Sequence, residues 1–199
     1  MSFVVKNFKN LLLNQLLQKI YVLIIKQLFN KTITNFKIYK ANELELRINN
    51  KYLYTLIYFL KLSNLTQCKF LIDIIVSDYI GKKYRFSITY LILSIFNYRI
   101  KINCLIKETN NILSIISLFS NAIWLEREIY DFYGILFVYN IDLRRILNDY
   151  GFIGYPLRKD FPLIGFNEIV YDDIKKQIIF NKIELNQILK KYNLFKIWI

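Results

Sequence analysis

Between residues 43 and 107 apolar side chains return at every second position in several separate runs. The run Glu43-Leu44-Glu45-Leu46-Arg47-Ile48 turns Leu44, Leu46 and Ile48 to one face. Residues 84–92 do the same with Phe86, Ile88, Tyr90 and Ile92, and residues 97–107 with Tyr98, Ile100, Ile102, Cys104 and Ile106. A period of two is the pattern of a strand with one buried face. Residues 67–77 are apolar on both faces and predict a central strand, with Ile72 and Ile74 inward. Residues 33–40 predict a further strand, with Phe36 and Ile38 on one face and a turn at Lys40-Ala41-Asn42. The short connections Asp78–Lys83 and Ser94–Asn97 suit antiparallel hairpins.

Helical spacing appears in three places. Residues 8–30 place Leu12, Leu13, Leu16, Leu17, Ile20 and Leu23 on one stripe, and residues 51–62 form an apolar helix able to cover the sheet. Asn121 is placed to cap a helix over 122–133 and Gly134 to end it, with Leu125, Ile129 and Phe132 as its apolar stripe and Arg127 and Asp131 on its polar side. The expected fold is α+β: a mixed, largely antiparallel sheet of about five strands covered by helices, followed by a long extended C-terminal segment. The expected division is an α+β domain over 1–134 and an extended partner-binding segment over 135–199, with a short helical stretch near 142–147 and a hairpin of 168–171 with 177–180.

Residues 126–165 depart from the rest of the chain. Both prolines, Pro156 and Pro162, lie there, with four of the five glycines and four of the seven arginines. Glycine admits backbone angles that other residues resist, and proline fixes a turn. A long segment so shaped, with mixed charge and aromatic anchors at Phe152, Tyr155, Phe161 and Phe166, suits an interface with another protein.

A hydrophobic content of 55% excludes general disorder. Residues 1–120 hold 17 Lys/Arg against 5 Asp/Glu, whereas 121–199 hold 11 against 10. The basic first part raises an organellar RNA-binding or ribosomal protein as an alternative, but its lysines are isolated rather than gathered into a stripe. The chain has no histidine, which removes imidazole-based catalysis and metal ligation. Two cysteines, Cys68 and Cys104, expected on inward strand faces, cannot hold an iron–sulfur cluster or a structural zinc. Glu126 and Glu128 are two apart and point to different sides of a helix, a poor acid/base pair. The N-terminal residues show neither a small-residue cleavage site nor an Arg- and Ser-rich character, so no signal or transit peptide is expected.

The stretch from Asn121 to Tyr171 resembles the 30-kilodalton subunit family of respiratory complex I. The residues that carry it are Trp124-Leu125-Glu126-Arg127-Glu128, Tyr130-Asp131, Gly134-Ile135, Phe137, Asp142-Leu143-Arg144-Arg145-Ile146-Leu147, Asp149-Tyr150-Gly151-Phe152, Gly154, and Pro156-Leu157-Arg158-Lys159-Asp160-Phe161-Pro162-Leu163 with Gly165. A weaker likeness covers Leu71–Asp78, Arg85–Tyr90 and Arg99–Lys101. Two departures stand out: the family usually has His-Pro where this chain has Asn140-Ile141, and His where it has Tyr155. Loss of those histidines fits a requirement for shape and hydrogen bonding.

The resemblance implies a non-catalytic subunit of the matrix-facing arm of a proton-translocating NADH:ubiquinone reductase, in the mitochondrion and encoded there. It implies no cofactor bound by this chain, with FMN, iron–sulfur clusters, NADH and ubiquinone on other subunits. The expected neighbours are the 49-kilodalton quinone-site subunit and the iron–sulfur subunits. No nucleic acid is expected, and the membrane is met only through the complex. The expected interface residues are Glu126, Arg127, Glu128, Asp131, Arg144, Arg145, Tyr155, Arg158, Lys159, Asp160 and Phe161. Arg144, Arg145 and Arg158 are expected to pair with carboxylates, on the partner or on Glu126, Glu128 and Asp131, because a planar guanidinium holds a carboxylate in a fork that lysine lacks.

Overall fold

The computed structural model describes residues 33–39, 43–64, 66–96, 98–185, 187 and 190. The helix expected over 8–30 and the turn at 40–42 lie outside the described residues, as do the side chains of Phe36 and Ile38. Five strands form one sheet: β1 Ile33–Tyr39, β2 Glu43–Ile48, β3 Phe70–Asp78, β4 Phe86–Leu93 and β5 Arg99–Ile106. Their spatial order is β1-β2-β5-β4-β3. All pairings are antiparallel except β2 with β5, which is parallel.

The alternation sets the core. Leu44, Leu46, Ile48, Phe86, Ile88, Tyr90, Ile92, Ile100, Ile102, Cys104 and Ile106 are all buried on one face. A single 3₁₀ turn, Asn50–Tyr52, leads from β2 into helix α1, Leu53–Leu62, whose Leu53, Leu56, Ile57 and Leu60 join that core. Thr66, just beyond α1, ties the layers together. Its hydroxyl donates to Leu60 O at 2.7 Å, and its own carbonyl accepts from Tyr98 Oη at 2.6 Å.

Two expectations about 67–77 are corrected. The strand is an edge, not a centre, because β5 inserts between β2 and β4 and leaves β3 outermost. Its second apolar face therefore stays exposed at Phe70, Ile72 and Ile75. Ile74 is buried as expected, but Ile72 is not. The register with β4 slips between Leu71 and Asp73, so one extra residue sits in β3 and the inward set becomes Leu71, Ile74 and Val76. Cys68 is buried but precedes the strand, in a loop.

Helix α2, Ala122–Tyr133, lies along β3. The Asn121 side chain does not cap it; its Nδ2 donates to Leu71 O at 2.9 Å, while Tyr133 Oη at the other end donates to Val76 O at 3.1 Å. The edge strand is thus held by both ends of the helix. One feature was absent from the expectations, and one expectation is corrected. Short strands β6, Ile112–Leu113, and β7, Phe137–Val138, pair in parallel. Residues 142–147 are irregular rather than helical.

The described residues fall into two compact units, one ending at Asp160 and one beginning at Phe161, whereas the division expected from sequence fell at residue 134. The second unit contains the expected hairpin, β8 Asn167–Asp172 with β9 Gln177–Lys182. Its turn is held by Asp172 Oδ1, which accepts from Ile174 N at 2.9 Å. Among the described residues no helix is long and apolar enough to cross a membrane.

Candidate functional site

Helix α2 carries the distinctive motif, and its burial is unusual. Its inward residues include Glu126, Arg127 and Asp131 beside Ala122 and Ile129. Arg127 and Asp131, expected on the helix's polar side, are buried in this chain. Apart from the two residues of β7, segment 135–160 is irregular, and many of its backbone groups and arginines are satisfied by these buried side chains instead.

Asp131 is fully buried and organises the segment. Its Oδ2 accepts the backbone N–H groups of Ile146 (3.1 Å), Leu147 (2.8 Å) and Asn148 (2.9 Å). Its Oδ1 accepts from Asn148 Nδ2 at 2.7 Å and from the Arg145 guanidinium at 2.9 Å. Burial alone would raise its pKa, but the N–H donors of Asn148 and Leu147, with the Asn148 amide and Arg145, outweigh it and hold the carboxyl at about 2.

Glu126 is equally buried but lies among neutral donors. It accepts from Ile115 N at 2.8 Å, Ser114 Oγ at 2.7 Å and Asn140 Nδ2 at 3.0 Å. Burial dominates these bonds, so its pKa is raised. Among the described residues no arginine pairs with it. Arg127 donates from Nε to Arg144 O at 3.1 Å and lies 4.0 Å from Asp142. Glu128 is exposed on the opposite side.

Within the chain Arg145 pairs with the expected Asp131, whereas Arg144 pairs with Asp142 and Arg158 with Glu108, neither of them among the expected carboxylates. Arg144, 77% exposed at its side chain, grips Asp142 with two bonds of 2.6 and 2.8 Å. Arg145 joins Asp131 to Gly154 O, at 2.9 Å each. Arg158 donates to Tyr133 O at 2.6 Å and to Glu108 at 2.8 Å. The Tyr155 ring lies between two of these cations, 5.1 Å from Arg145 and 4.7 Å from Arg158. That ring also explains Gly134, which sits at φ +72° and whose added Cβ would lie 2.5 Å from Tyr155.

A second clamp holds the end of the segment. Asp78, at the close of β3, accepts from Lys159 N at 2.9 Å and is gripped by Arg85 through bonds of 2.9 and 3.1 Å. Burial opposes ionisation of Asp78, but the Arg85 and Lys159 donors win and its pKa is lowered. Arg85 also reaches Glu108 at 3.1 Å and Asp160 at 2.9 Å. Phe161 opens the second unit and meets Phe166 edge to face at 5.4 Å. Sequence reasoning missed Asp78, Arg85, Glu108, Ser114 and Asn140 as parts of this network. One signal was available: the first 120 residues hold only five acids, and two of them, Asp78 and Glu108, serve here.

The network joins no nucleophile to a base, and among the described residues no group of three or more His, Cys, Asp or Glu is arranged to hold a metal. Both cysteine thiols are buried and pushed up to about 12 by desolvation. What the arrangement does chemically is to fix an irregular backbone in one shape.

The comparisons with known proteins agree. The model of the family described as "Respiratory-chain NADH dehydrogenase, 30 Kd subunit" matches residues 46–167. NADH-ubiquinone oxidoreductase subunit 9 of Dictyostelium citrinum is 43% identical over 165 residues, covering 80% of this chain and 79% of that protein. NADH dehydrogenase [ubiquinone] iron-sulfur protein 3 of Arabidopsis thaliana is 44% identical over 151 residues, covering 75% and 80%. Two solved structures share the fold. The trypsin-resistant fragment (1–134) of Nqo5 has a TM-score of 0.53 at 20% identity, covering 62% of this chain and 98% of that one. A chain of an archaeal membrane-bound sulfane sulfur reductase has a TM-score of 0.60 at 22% identity, covering 71% and 85%.

Proposed function

The chain belongs to the family of the 30-kilodalton subunit of respiratory-chain NADH dehydrogenase, and from that premise we propose that it is a non-catalytic structural subunit of the matrix-facing arm of mitochondrial complex I. The observation that carries the reading is the family match over residues 46–167, which takes in every candidate residue from Glu126 to Phe161. The organellar RNA-binding alternative has no such support.

In this reading the sheet and its two helices form a rigid body, and segment 126–161 is the surface shaped for other subunits of the complex. The 49-kilodalton subunit and the neighbouring iron–sulfur subunits are its partners. The chain holds no cofactor; its two cysteines fall short of the four thiolates of an iron–sulfur cluster, and it has no histidine to replace them. FMN, the clusters, NADH and ubiquinone are handled by other subunits, as is proton translocation. The mitochondrial genome encodes the chain, consistent with its surplus of Lys, Asn, Ile, Tyr and Phe.

A native gel tests this. The chain should co-migrate with NADH dehydrogenase activity and resist moderate salt, and the purified chain should carry no stoichiometric iron or flavin. Recovery of the chain on ribosomal particles, released steeply by salt, would refute it.

A further inference from the structure

The outer edge of β3 is capped along its length. In an antiparallel pair, residues whose N–H and C=O groups meet the partner strand alternate with residues whose groups point away from it. Tyr79 N donates to Arg85 O at 2.8 Å, just past the end of β3, and Ser77 lies opposite Ser87 two residues back. The alternation therefore turns the backbone groups of Asp78, Val76 and Ile74 away from β4. Beyond the bulge the outward position passes to Leu71, one residue out of step. These groups face the side of the sheet where, among the described residues, no further strand follows.

Three of the outward groups are taken by side chains. The Asn121 amide donates to Leu71 O at 2.9 Å, and Tyr133 Oη donates to Val76 O at 3.1 Å. Between them, Ile74 N donates to the carboxylate of its own neighbour, Asp73, at 2.7 Å. This strand needs such caps. An edge with open N–H and C=O groups is a template for another strand. Phe70–Asp78 reads FLIDIIVSD, with no proline or glycine and several β-branched residues, a composition that pairs readily with copies of itself. Phe70, Ile72 and Ile75 are exposed and would extend into a shared apolar face if two such edges met.

We propose that Asn121, Asp73 and Tyr133 form a guard that closes the β3 edge to a second copy of this chain and keeps the free chain monomeric. The excluded partner is a like strand running antiparallel, because a twofold axis is the simplest relation between two identical edges. Centred on Ile74, that pairing sets Asp73 of each copy opposite Ile75 of the other. The Asp73 carboxylate would lose Ile74 N to the incoming carbonyl and lie against an apolar side chain. The acid therefore opposes the pairing as well as capping the edge. The inference stands on the edge geometry and does not depend on which complex the chain joins.

Self-association of the full-length chain tests this. The triple variant Asp73→Ser/Asn121→Ala/Tyr133→Phe opens all three groups, while the ring at 133 keeps its edge-to-face contact with Phe86 at 6.3 Å. Its mass by light scattering should rise from monomer to dimer at concentrations on the order of 10 μM, where the wild type stays monomeric. The Ile74 amide should exchange faster than in the wild type in dilute solution and slower once the dimer forms. Adding Ile75→Lys, which sets a charge on the exposed side of the strand, should return the triple variant to monomer. The pair Asn121→Ala/Tyr133→Phe keeps the Asp73 cap and should need roughly tenfold more protein to associate; if the triple variant does not fold, this pair decides the matter by the same readings. Ile100→Ala, a core truncation in the central strand β5, controls for lost stability and should stay monomeric. An opened edge that leaves the chain monomeric would overturn the proposal. So would association that Ile75→Lys leaves untouched, or that Ile100→Ala reproduces.

Discussion

Asp131→Asn is the sharpest perturbation of the network, since it removes one charge with almost no change in shape. In the wild type the carboxylate accepts five hydrogen bonds, three from consecutive backbone N–H groups and two from Arg145 and Asn148. Its pKa of about 2, against an ordinary 3.8, corresponds to about 2 kcal/mol of stability at neutral pH, at about 1.4 kcal/mol per pH unit. An amide loses that contribution and also turns one donor toward N–H groups that need an acceptor, adding about 1–2 kcal/mol. The expected total is about 3–4 kcal/mol, within the range for breaking a buried ion pair. Urea unfolding of the full-length chain should show it as a lower midpoint at unchanged slope. A fall in Tm of roughly 6–16 °C should accompany it for a unit of this size. Because the folded state holds the carboxyl below its unfolded value, the stability is present above about pH 3.8 and lost as pH falls through about 2. The gap between wild type and variant should therefore narrow in acid. A variant within 1 °C, on the order of measurement error, or a gap independent of pH between 7 and 3 would refute the reasoning.

Four further outcomes follow from the same structure. Glu126→Gln should act in the opposite pH sense: burial raises the Glu126 pKa, so the wild type is fully stabilised below the unfolded value of 4.5 and loses stability as pH rises through its folded value. The gap to the Gln variant, which forfeits about one hydrogen bond worth about 1 kcal/mol, should widen in acid in paired urea titrations. Gly134→Ala should destabilise by about 2 kcal/mol or more, from the left-handed angle and the collision with Tyr155, and Tyr155→Ala should recover only the collision in a double-mutant cycle. Ile74→Ala should cost roughly 2–5 kcal/mol and Ile72→Ala under about 1 kcal/mol, the reverse of equal effects being a test of the bulge by thermal melts. Arg158→Lys should lower Tm and complex yield together, since lysine keeps a charge near Glu108 but loses the Tyr133 carbonyl bond and the stack on Tyr155.

The interior of the sheet was legible because alternation is a local signal. Leu44, Leu46, Phe86, Ile88, Ile100 and Ile102 each announce their face through their immediate neighbours, and all are buried. The hairpin of β8 and β9 and the glycine at the end of α2 were legible for the same reason. Strand order was not. A strand apolar on both faces reads alike whether it ends at the centre or at the edge, and only the insertion of β5 beside β2 decided it. The bulge at Ile72 also left no local mark, because Leu71 and Ile72 are interchangeable in pattern.

The site divided along the same line. Sequence by itself determined that 126–165 is a shaped segment rich in arginine, and to which family its motif points. Helix periodicity then misplaced Arg127 and Asp131, because charge normally marks the wet face. Here the polar groups of an irregular segment lie against α2 and make a buried carboxylate less costly than a buried leucine. That inversion depends on where residues 140–148 and 158–160 come to rest. Their partners, Glu126, Asp131, Tyr133, Asp78 and Glu108, lie between 14 and 81 positions away. No local pattern reports contacts at such separations; only the closed tertiary structure decides them.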